Sequence, residues 1–76
     1  MEQKRTIWRI KSPRALGVAL RDIRKEAGLT QVILANRLET TRHRISRLER
    51  GDISEQLLLM LRILERLEVD LLLEVR

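Results

Sequence analysis

The chain contains no cysteine, phenylalanine or tyrosine, and only one histidine, one tryptophan and one proline among its 76 residues. The absence of cysteine excludes disulfides and thiolate metal sites, and a single histidine, His43, cannot form the usual cluster of metal ligands. We therefore expect no metal and no cofactor. A chain of this length predicts one small domain, residues 1–76, and such domains often need a partner subunit for stability.

Long apolar segments are also lacking. Charged residues interrupt the first eleven positions, so we expect no signal peptide. The most apolar run, residues 57–61, is far too short to span a bilayer. The absence of cysteine suits a reducing compartment. We accordingly expect a cytoplasmic protein, associated with the bacterial nucleoid.

Positive charge, in contrast, is abundant and unevenly distributed, with a formal net charge of +5. Residues 1–25 hold eight Lys and Arg residues against two acids, and residues 41–51 hold four arginines against one acid. Residues 52–76 reverse the balance, with six acids against three arginines. A basic front and an acidic back suit a protein that turns one face to a polyanion, although ordinary solvated surfaces also carry such charges.

Cap residues and apolar spacing predict four helices, at residues 13–27, 31–38, 42–50 and 54–67. A serine or threonine that can serve as the N-cap precedes each of the first three helices and begins the fourth, and glycines end the first and third. The side chains expected to face inward in the first three helices are Leu16, Leu20, Ile23, Ala27, Leu34, Ala35, Leu38, Ile45 and Leu48. The fourth helix is apolar on more than one face, which predicts that a second subunit covers part of it.

Two segments of alternating residues flank the helices. Residues 5–11 predict a short strand, and residues 70–76 predict either a terminal strand or an extension of the fourth helix. Strands this short need each other, or their copies in another chain. We expect Leu71, Leu73 and Val75, which share one face, to contribute to dimerisation. Trp8 is expected to pack against this sheet rather than to bind a ligand.

Residues 28–51 predict two short helices that cross steeply because only about three residues join them. This segment resembles the lambda-repressor/Cro-like helix-turn-helix family, also called the xenobiotic-response-element family. The matching residues are Gly-Leu-Thr-Gln at 28–31, Leu34-Ala35, Thr41, and Ile-Ser-Arg-Leu-Glu-Arg-Gly at 45–51. The resemblance covers residues 14–67 and implies a mainly α, four-helix DNA-binding domain. It also implies short N- and C-terminal strands that form an intersubunit sheet in the dimer.

Residues 12–17 and 61–73 resemble the HipB-like antitoxin branch of this family, in which a terminal strand replaces the fifth helix. That resemblance implies a homodimeric repressor that restrains a protein toxin, expected to be a HipA-like kinase, and autoregulates their toxin-antitoxin operon. Two alternatives stay open: a phage-type or metabolic regulator without a toxin, and a helical protein-interaction adaptor. No enzyme is expected, because the sequence offers no nucleophile–base pair and no Gly-rich phosphate loop.

The resemblance implies that Arg42, His43 and Arg47 reach base edges in the major groove of a pseudo-palindromic operator. Arginine suits this role because it can pair with both O6 and N7 of guanine. The implied phosphate contacts are Gln31, Thr41, Arg44 and Arg50. The alternative interpretation is that these side chains are only exposed to solvent and contact no DNA. For Thr41, the capping role alone would explain the residue.

Some positions depart from the family pattern or remain unassigned. Glu39 and Glu68 stand where glycine is usual, and a side chain in the left-handed region costs on the order of 1 kcal/mol, so a reshaped turn is expected at Glu39. Arg24 and Glu49 resemble a pair that joins the first helix to the end of the third, and we interpret it as structural. Ile33 is either plain surface or a contact for a partner protein.

Overall fold

The computed structural model describes residues 6–76, which form four helices and a two-stranded antiparallel sheet. The elements are β1 (Ile7–Ile10), α1 (Pro13–Glu26), α2 (Gln31–Arg37), α3 (Arg42–Glu49), α4 (Glu55–Arg66) and β2 (Leu71–Glu74). The predicted fold class, mainly helical with four helices and short terminal strands, is confirmed. Arg5, the first residue of the predicted N-terminal strand, lies outside the described residues.

Each helix begins at the N-cap that the sequence predicted. The hydroxyl oxygens of Ser12, Thr30, Thr41 and Ser54 each accept a hydrogen bond from the backbone N–H three residues later, at 3.0, 3.1, 3.3 and 3.2 Å. These bonds satisfy N–H groups that have no partner within the helix. Because the cap itself is not helical, α4 begins at residue 55 rather than 54.

All four helices also end in the same way, with a Schellman motif. The residue after each C-cap has a positive φ, namely Gly28 (73°), Glu39 (54°), Gly51 (84°) and Glu68 (58°). The C-caps are residues 27, 38, 50 and 67, so each helix ends one residue before its predicted end. The turn at Glu39 therefore keeps the left-handed conformation rather than being reshaped. The cost of this conformation is the close contact between the Cβ atom of Glu39 and the carbonyl oxygen that follows it.

The core has two small parts. Ile10, Ala19 and Leu61 are buried together, with Trp8, Leu16, Ile53, Leu71 and Leu73 packed around them. Ala35 and Ile45 are buried on α2 and α3, which pack against each other. Trp8 thus packs against the core beneath the sheet, as predicted.

Ala27 and three leucines predicted to face inward do not. Ala27 is the exposed C-cap of α1, and Leu48 of α3 is 37% exposed. Leu38 is 61% exposed because it is the C-cap of α2 and lies beyond the face that packs on α3. Leu20 lies on the more exposed side of α1, whose buried positions are Gly17 and Ala19. Only a small residue fits at Gly17, because α1 approaches the end of α3 closely there.

Strands β1 and β2 pair with each other within the chain, with Trp8 opposite Leu73 and Ile10 opposite Leu71. The C-terminal segment is therefore a strand and not an extension of α4. An intersubunit sheet stays a prediction, since a second chain would have to add to this pair. None of the helices in residues 6–76 is both long and apolar enough to cross a membrane.

Candidate nucleic-acid interface

Helix α3 is held from its inner side by both α1 and α2. Ala35 of α2 is 2% exposed and Ile45 of α3 is 7% exposed, which agrees with a small residue where the two helices cross. On the α1 side, a Cβ atom added to Gly17 would lie 2.5 Å from the carbonyl oxygen of Glu49. These contacts fix the orientation of α3 and leave its other side uncovered by the described part of the chain.

The uncovered side of α3 is strongly basic. Arg42, His43, Arg44, Arg47 and Arg50 are all exposed, and Ser46 between them is half-buried. His43, Arg47 and Arg50 follow the helical spacing i, i+4, i+7 and so form one row. The structure thus brings all three predicted base-contacting residues and Arg44 onto a single short helix, and Arg50 onto its C-cap.

One residue of this basic row already has an ionic partner. Nε of Arg47 donates to Oδ2 of Asp52 at 2.6 Å, and both side chains are about half exposed. This hydrogen bond raises the pKa of Arg47 and lowers the pKa of Asp52, with their mutual attraction adding to both shifts. Asp52 therefore places a negative charge at the edge of an otherwise positive surface.

Beneath the basic side, a buried network connects α1, α2 and α3. The Arg24 guanidinium donates to both carboxylate oxygens of Glu49, at 2.6 and 3.0 Å, and to the Leu29 carbonyl oxygen at 2.8 Å. The bond from Arg24 holds the pKa of Glu49 below its usual value, although burial opposes this shift. The sequence predicts a structural role for this pair, and its geometry agrees.

Gln31, a predicted phosphate contact, belongs to the same network. Its Nε2 donates to Oε1 of Glu49 at 3.1 Å. An amide nitrogen carries two hydrogens, so this bond leaves one for another acceptor. Thr41, also predicted to contact phosphate, caps α3 through the backbone N–H of Arg44. The DNA contacts of both residues stay predictions.

The predicted dimerisation residues lie on β2 and directly after it, not on α3. Leu71 and Leu73 pack against the core of their own chain, whereas Val75 is 48% exposed. The outward side of β2 instead carries Leu72, which is 50% exposed. A role for Leu71, Leu73 and Val75 in a dimer stays a prediction.

Between charged or amide side chains at α3, the sequence analysis missed two contacts, Arg47 with Asp52 and Gln31 with Glu49. A signal existed for the first, because Gly51 marks a Schellman motif, and this motif brings the second residue after the C-cap beside the third-last residue of the helix. The second contact spans 18 positions and depends on how α2 meets α3. No local sequence signal reports that geometry.

Comparison with known proteins gives one match. A family model described as a helix-turn-helix domain matches residues 15–74, which include all four helices of the structure apart from the first two residues of α1. No curated protein and no solved structure matches the chain significantly. The match spans most of the chain and includes the α2–turn–α3 unit described above. The chain belongs to the helix-turn-helix domain family.

Proposed function

We propose that this protein is a sequence-specific transcriptional repressor that binds DNA as a homodimer. Membership of the helix-turn-helix family indicates a DNA-binding regulator, and the function of such a domain is binding rather than catalysis. The observation that carries the proposal is the uncovered side of α3, where four arginines and a histidine are exposed on a helix fixed from behind. A helix presented in this way can enter the major groove.

In this proposal the residues of α3 divide the work. Arg42, His43 and Arg47 contact base edges, whereas Arg44 and Arg50 hold phosphates. Gln31 at the start of α2, with the one amide hydrogen that its bond to Glu49 leaves, and Thr41 at the N-cap of α3 add phosphate contacts. The resemblance to the lambda-repressor/Cro-like branch supports this assignment, as does the exposure of all five basic residues.

Exposed apolar surface supports a homodimer. Leu59, Met60, Ile63 and Leu67 are 45–66% exposed, and Leu61 is the only buried residue of α4. The described fold is also thin, with a smallest extent of 16 Å. Its radius of gyration is 13.6 Å, whereas about 11 Å is typical for a globular domain of this length. A second copy placed on the exposed side of α4 would cover this apolar surface and pair the two recognition helices.

We extend the proposal to a HipB-like antitoxin role. Its support is the resemblance of residues 12–17 and 61–73 to that branch, together with a terminal strand, β2, where a fifth helix is the alternative. In this role the dimer would also bind a HipA-like kinase and repress the operon that encodes both proteins. Purified kinase from the adjacent gene should form a stable complex with this protein. An operon without such a kinase would leave the stand-alone regulator.

DNA titrations at several salt concentrations test the repressor proposal against the adaptor alternative. The DNA upstream of the gene and a random duplex of equal length are compared. With Arg44 and Arg50 from each of two subunits on phosphates, log K should fall with log salt at a slope of about −3.6 or steeper, at roughly −0.9 per phosphate. The upstream DNA should bind at least about a thousandfold more tightly. Equal affinity for both duplexes at moderate salt would overturn the repressor and favour the adaptor.

Single variants then test the division of work on α3. Arg42→Ala and Arg47→Ala should each lose about 1–3 kcal/mol of binding free energy on the best operator and relax preference at particular base pairs. Arg50→Ala should weaken binding to all sequences alike. If all three variants show the same uniform loss, the assignment of base and phosphate contacts is wrong.

A further inference from the structure

The end of α3 returns the chain onto the recognition surface. The Gly51 N–H donates to the Leu48 carbonyl at 3.0 Å, and the Asp52 N–H donates to the Arg47 carbonyl at 2.9 Å. This Schellman motif sets the residue after the glycine beside the third-last residue of the helix. Asp52 is therefore joined to Arg47 by its backbone as well as by its side chain.

The loop that carries Asp52 is firmly placed. Gly51 has φ of 84°, a conformation that favours glycine, and a Cβ atom there would lie 3.0 Å from Cα of Arg14. The turn thus packs directly on the backbone at the start of α1. The backbone that carries the Asp52 carboxylate is therefore held in place, and its contact with Arg47 restricts the conformations of the arginine side chain.

The pairing of charged residues at this position distinguishes α3. In each helix, the third-last residue and the second residue after the C-cap correspond to Arg47 and Asp52 of α3. These residues are Arg24 and Leu29 for α1, Ala35 and Thr40 for α2, and Leu64 and Val69 for α4. A hydrophobic contact commonly joins these two positions. Among the four helices described, only α3 has oppositely charged side chains there, and only α3 carries the basic surface.

The atoms involved suggest what the contact does. Asp52 accepts from Nε of Arg47, and no hydrogen bond within residues 6–76 engages the two terminal nitrogens of that guanidinium. Arginine can contact O6 and N7 of guanine through these two terminal nitrogens. A guanidinium held at Nε presents them together and loses less conformational freedom when it binds.

We propose that Asp52 is a positioning residue for base recognition: it holds Arg47 by Nε and orients its terminal nitrogens towards a guanine. This inference rests on the proposed repressor function. The carboxylate also repels phosphates, which disfavours loose, sequence-independent binding. Asp52 thereby raises the ratio of specific to non-specific affinity in two ways: it strengthens binding to the specific sequence and weakens binding to other sequences.

Four variants and a matched control test the proposal on full-length protein. Each is measured on the duplex that the wild type selects from a random pool and on a scrambled duplex. Asp52→Ala should bind the selected duplex about tenfold more weakly and the scrambled duplex equally well or better. Its lost preference should fall at the same base pair that Arg47→Ala relaxes. In the Arg47→Ala background, Asp52→Ala should cause no further loss on the selected duplex.

The control is Asp70→Ala. Asp70 pairs with Arg9 at 3.7 Å and is 55% exposed, against 53% for Asp52, but it precedes β2 instead of following α3. It should change affinity for both duplexes by the same small factor. Asp52→Asn keeps an oxygen acceptor for Nε and should retain part of the base preference that Asp52→Ala loses. Thermal melts should show all of these variants folded, because exposed ion pairs contribute little to stability.

Other outcomes would overturn the inference. If Asp52→Ala and Asp70→Ala behave alike, Asp52 contributes only its charge. If Asp52→Ala binds the selected duplex more tightly than wild type does, Asp52 masks Arg47 and competes with DNA. A wild type that selects no duplex would instead refute the repressor function itself.

Discussion

The guanidinium of Arg24 and the carboxylate of Glu49 form a two-point ion pair that joins α1 to the end of α3. The Nε–Oε2 and Nη2–Oε1 distances are 2.6 and 3.0 Å, and the side chains are only 9% and 6% exposed. Loss of one partner would leave the other charge buried and unpaired. The orientation of α3 therefore depends on a buried pair whose two charges must both be present.

Single and double replacements of this pair should not be additive. Glu49→Leu should lower the free energy of unfolding by about 3–5 kcal/mol, because it leaves the Arg24 charge buried. The double variant Arg24→Met with Glu49→Leu should be more stable than that single variant. Chemical denaturation of the four proteins in the cycle measures the coupling. A coupling energy near zero would show that the two side chains do not stabilise the fold as a pair.

The same pair predicts a pH dependence of stability. The hydrogen bond from Arg24 lowers the pKa of Glu49 in the folded state below the ordinary value of 4.5. The stability it contributes is therefore fully present above pH 4.5 and is lost as the pH falls through the lower folded pKa. The difference in melting temperature between wild type and Glu49→Gln should shrink as the solution is acidified below pH 4.5. Glu65→Gln, the same chemical change at an exposed site of α4, is the control for the substitution itself.

Gly17 should be intolerant of even one added methyl group. A Cβ there would lie 2.5 Å from the carbonyl oxygen of Glu49 and 2.7 Å from that of Leu48, and backbone atoms cannot easily move aside. Gly17→Ala should therefore lower the free energy of unfolding by about 1–3 kcal/mol. An ordinary glycine inside a helix would instead gain about 0.5–1 kcal/mol on replacement by alanine. Denaturant titration gives the sign, and a gain would contradict the close approach of α1 to α3.

Glu39 and Glu68 should each be replaceable by glycine with a gain in stability. Both have the left-handed conformation, with φ of 54° and 58°, and both side chains are exposed. Glu39→Gly and Glu68→Gly should each raise the free energy of unfolding by about 1 kcal/mol, because glycine has no Cβ to clash in that conformation. Glu65→Gly, within α4, should instead lose about 1 kcal/mol. Thermal melts measure these changes. If Glu39→Gly and Glu68→Gly lower the melting temperature as Glu65→Gly does, the strain assigned to the two turns is wrong.

A charge on the exposed side of α4 should separate the proposed dimer without unfolding the chain. Ile63 is 47% exposed and takes no part in the buried core. Ile63→Glu should sediment as a folded monomer with weak DNA binding, since two recognition helices must be held at a fixed spacing. Val32→Glu, at a 50% exposed position of α2, is the control for added charge and should stay dimeric. A dimer that survives Ile63→Glu would place the interface elsewhere.

The features that could be predicted from the sequence are those that depend on local chemistry. Ser12, Thr30, Thr41 and Ser54 are recognisable as N-caps because each needs only the N–H group three residues ahead. The left-handed positions of Gly28 and Gly51 are recognisable in the same way, whereas the reshaped turn expected at Glu39 is not observed. The prediction for Leu38 is wrong because apolar spacing does not report where a helix ends relative to its neighbour.

The rest depends on relationships between elements. The sequence leaves open whether the strands pair with each other or with a second chain, because either partner satisfies the same backbone groups. Arg47 and Asp52 are each visible as charges, but their contact depends on the turn at Gly51. The basic side of α3 is predictable because the helical period alone sorts Ile45 from the arginines.

Selection of bound duplexes from a fully randomised DNA pool tests the central claim most directly, since no operator sequence has to be chosen beforehand. The wild-type protein should enrich one pseudo-palindromic sequence. Its two half-sites should be inverted copies whose centres lie about one helical turn apart, roughly 34–36 Å, because each recognition helix of the dimer occupies one of two successive major grooves. A pool that stays random after repeated rounds would contradict sequence-specific binding by the arginine surface of α3.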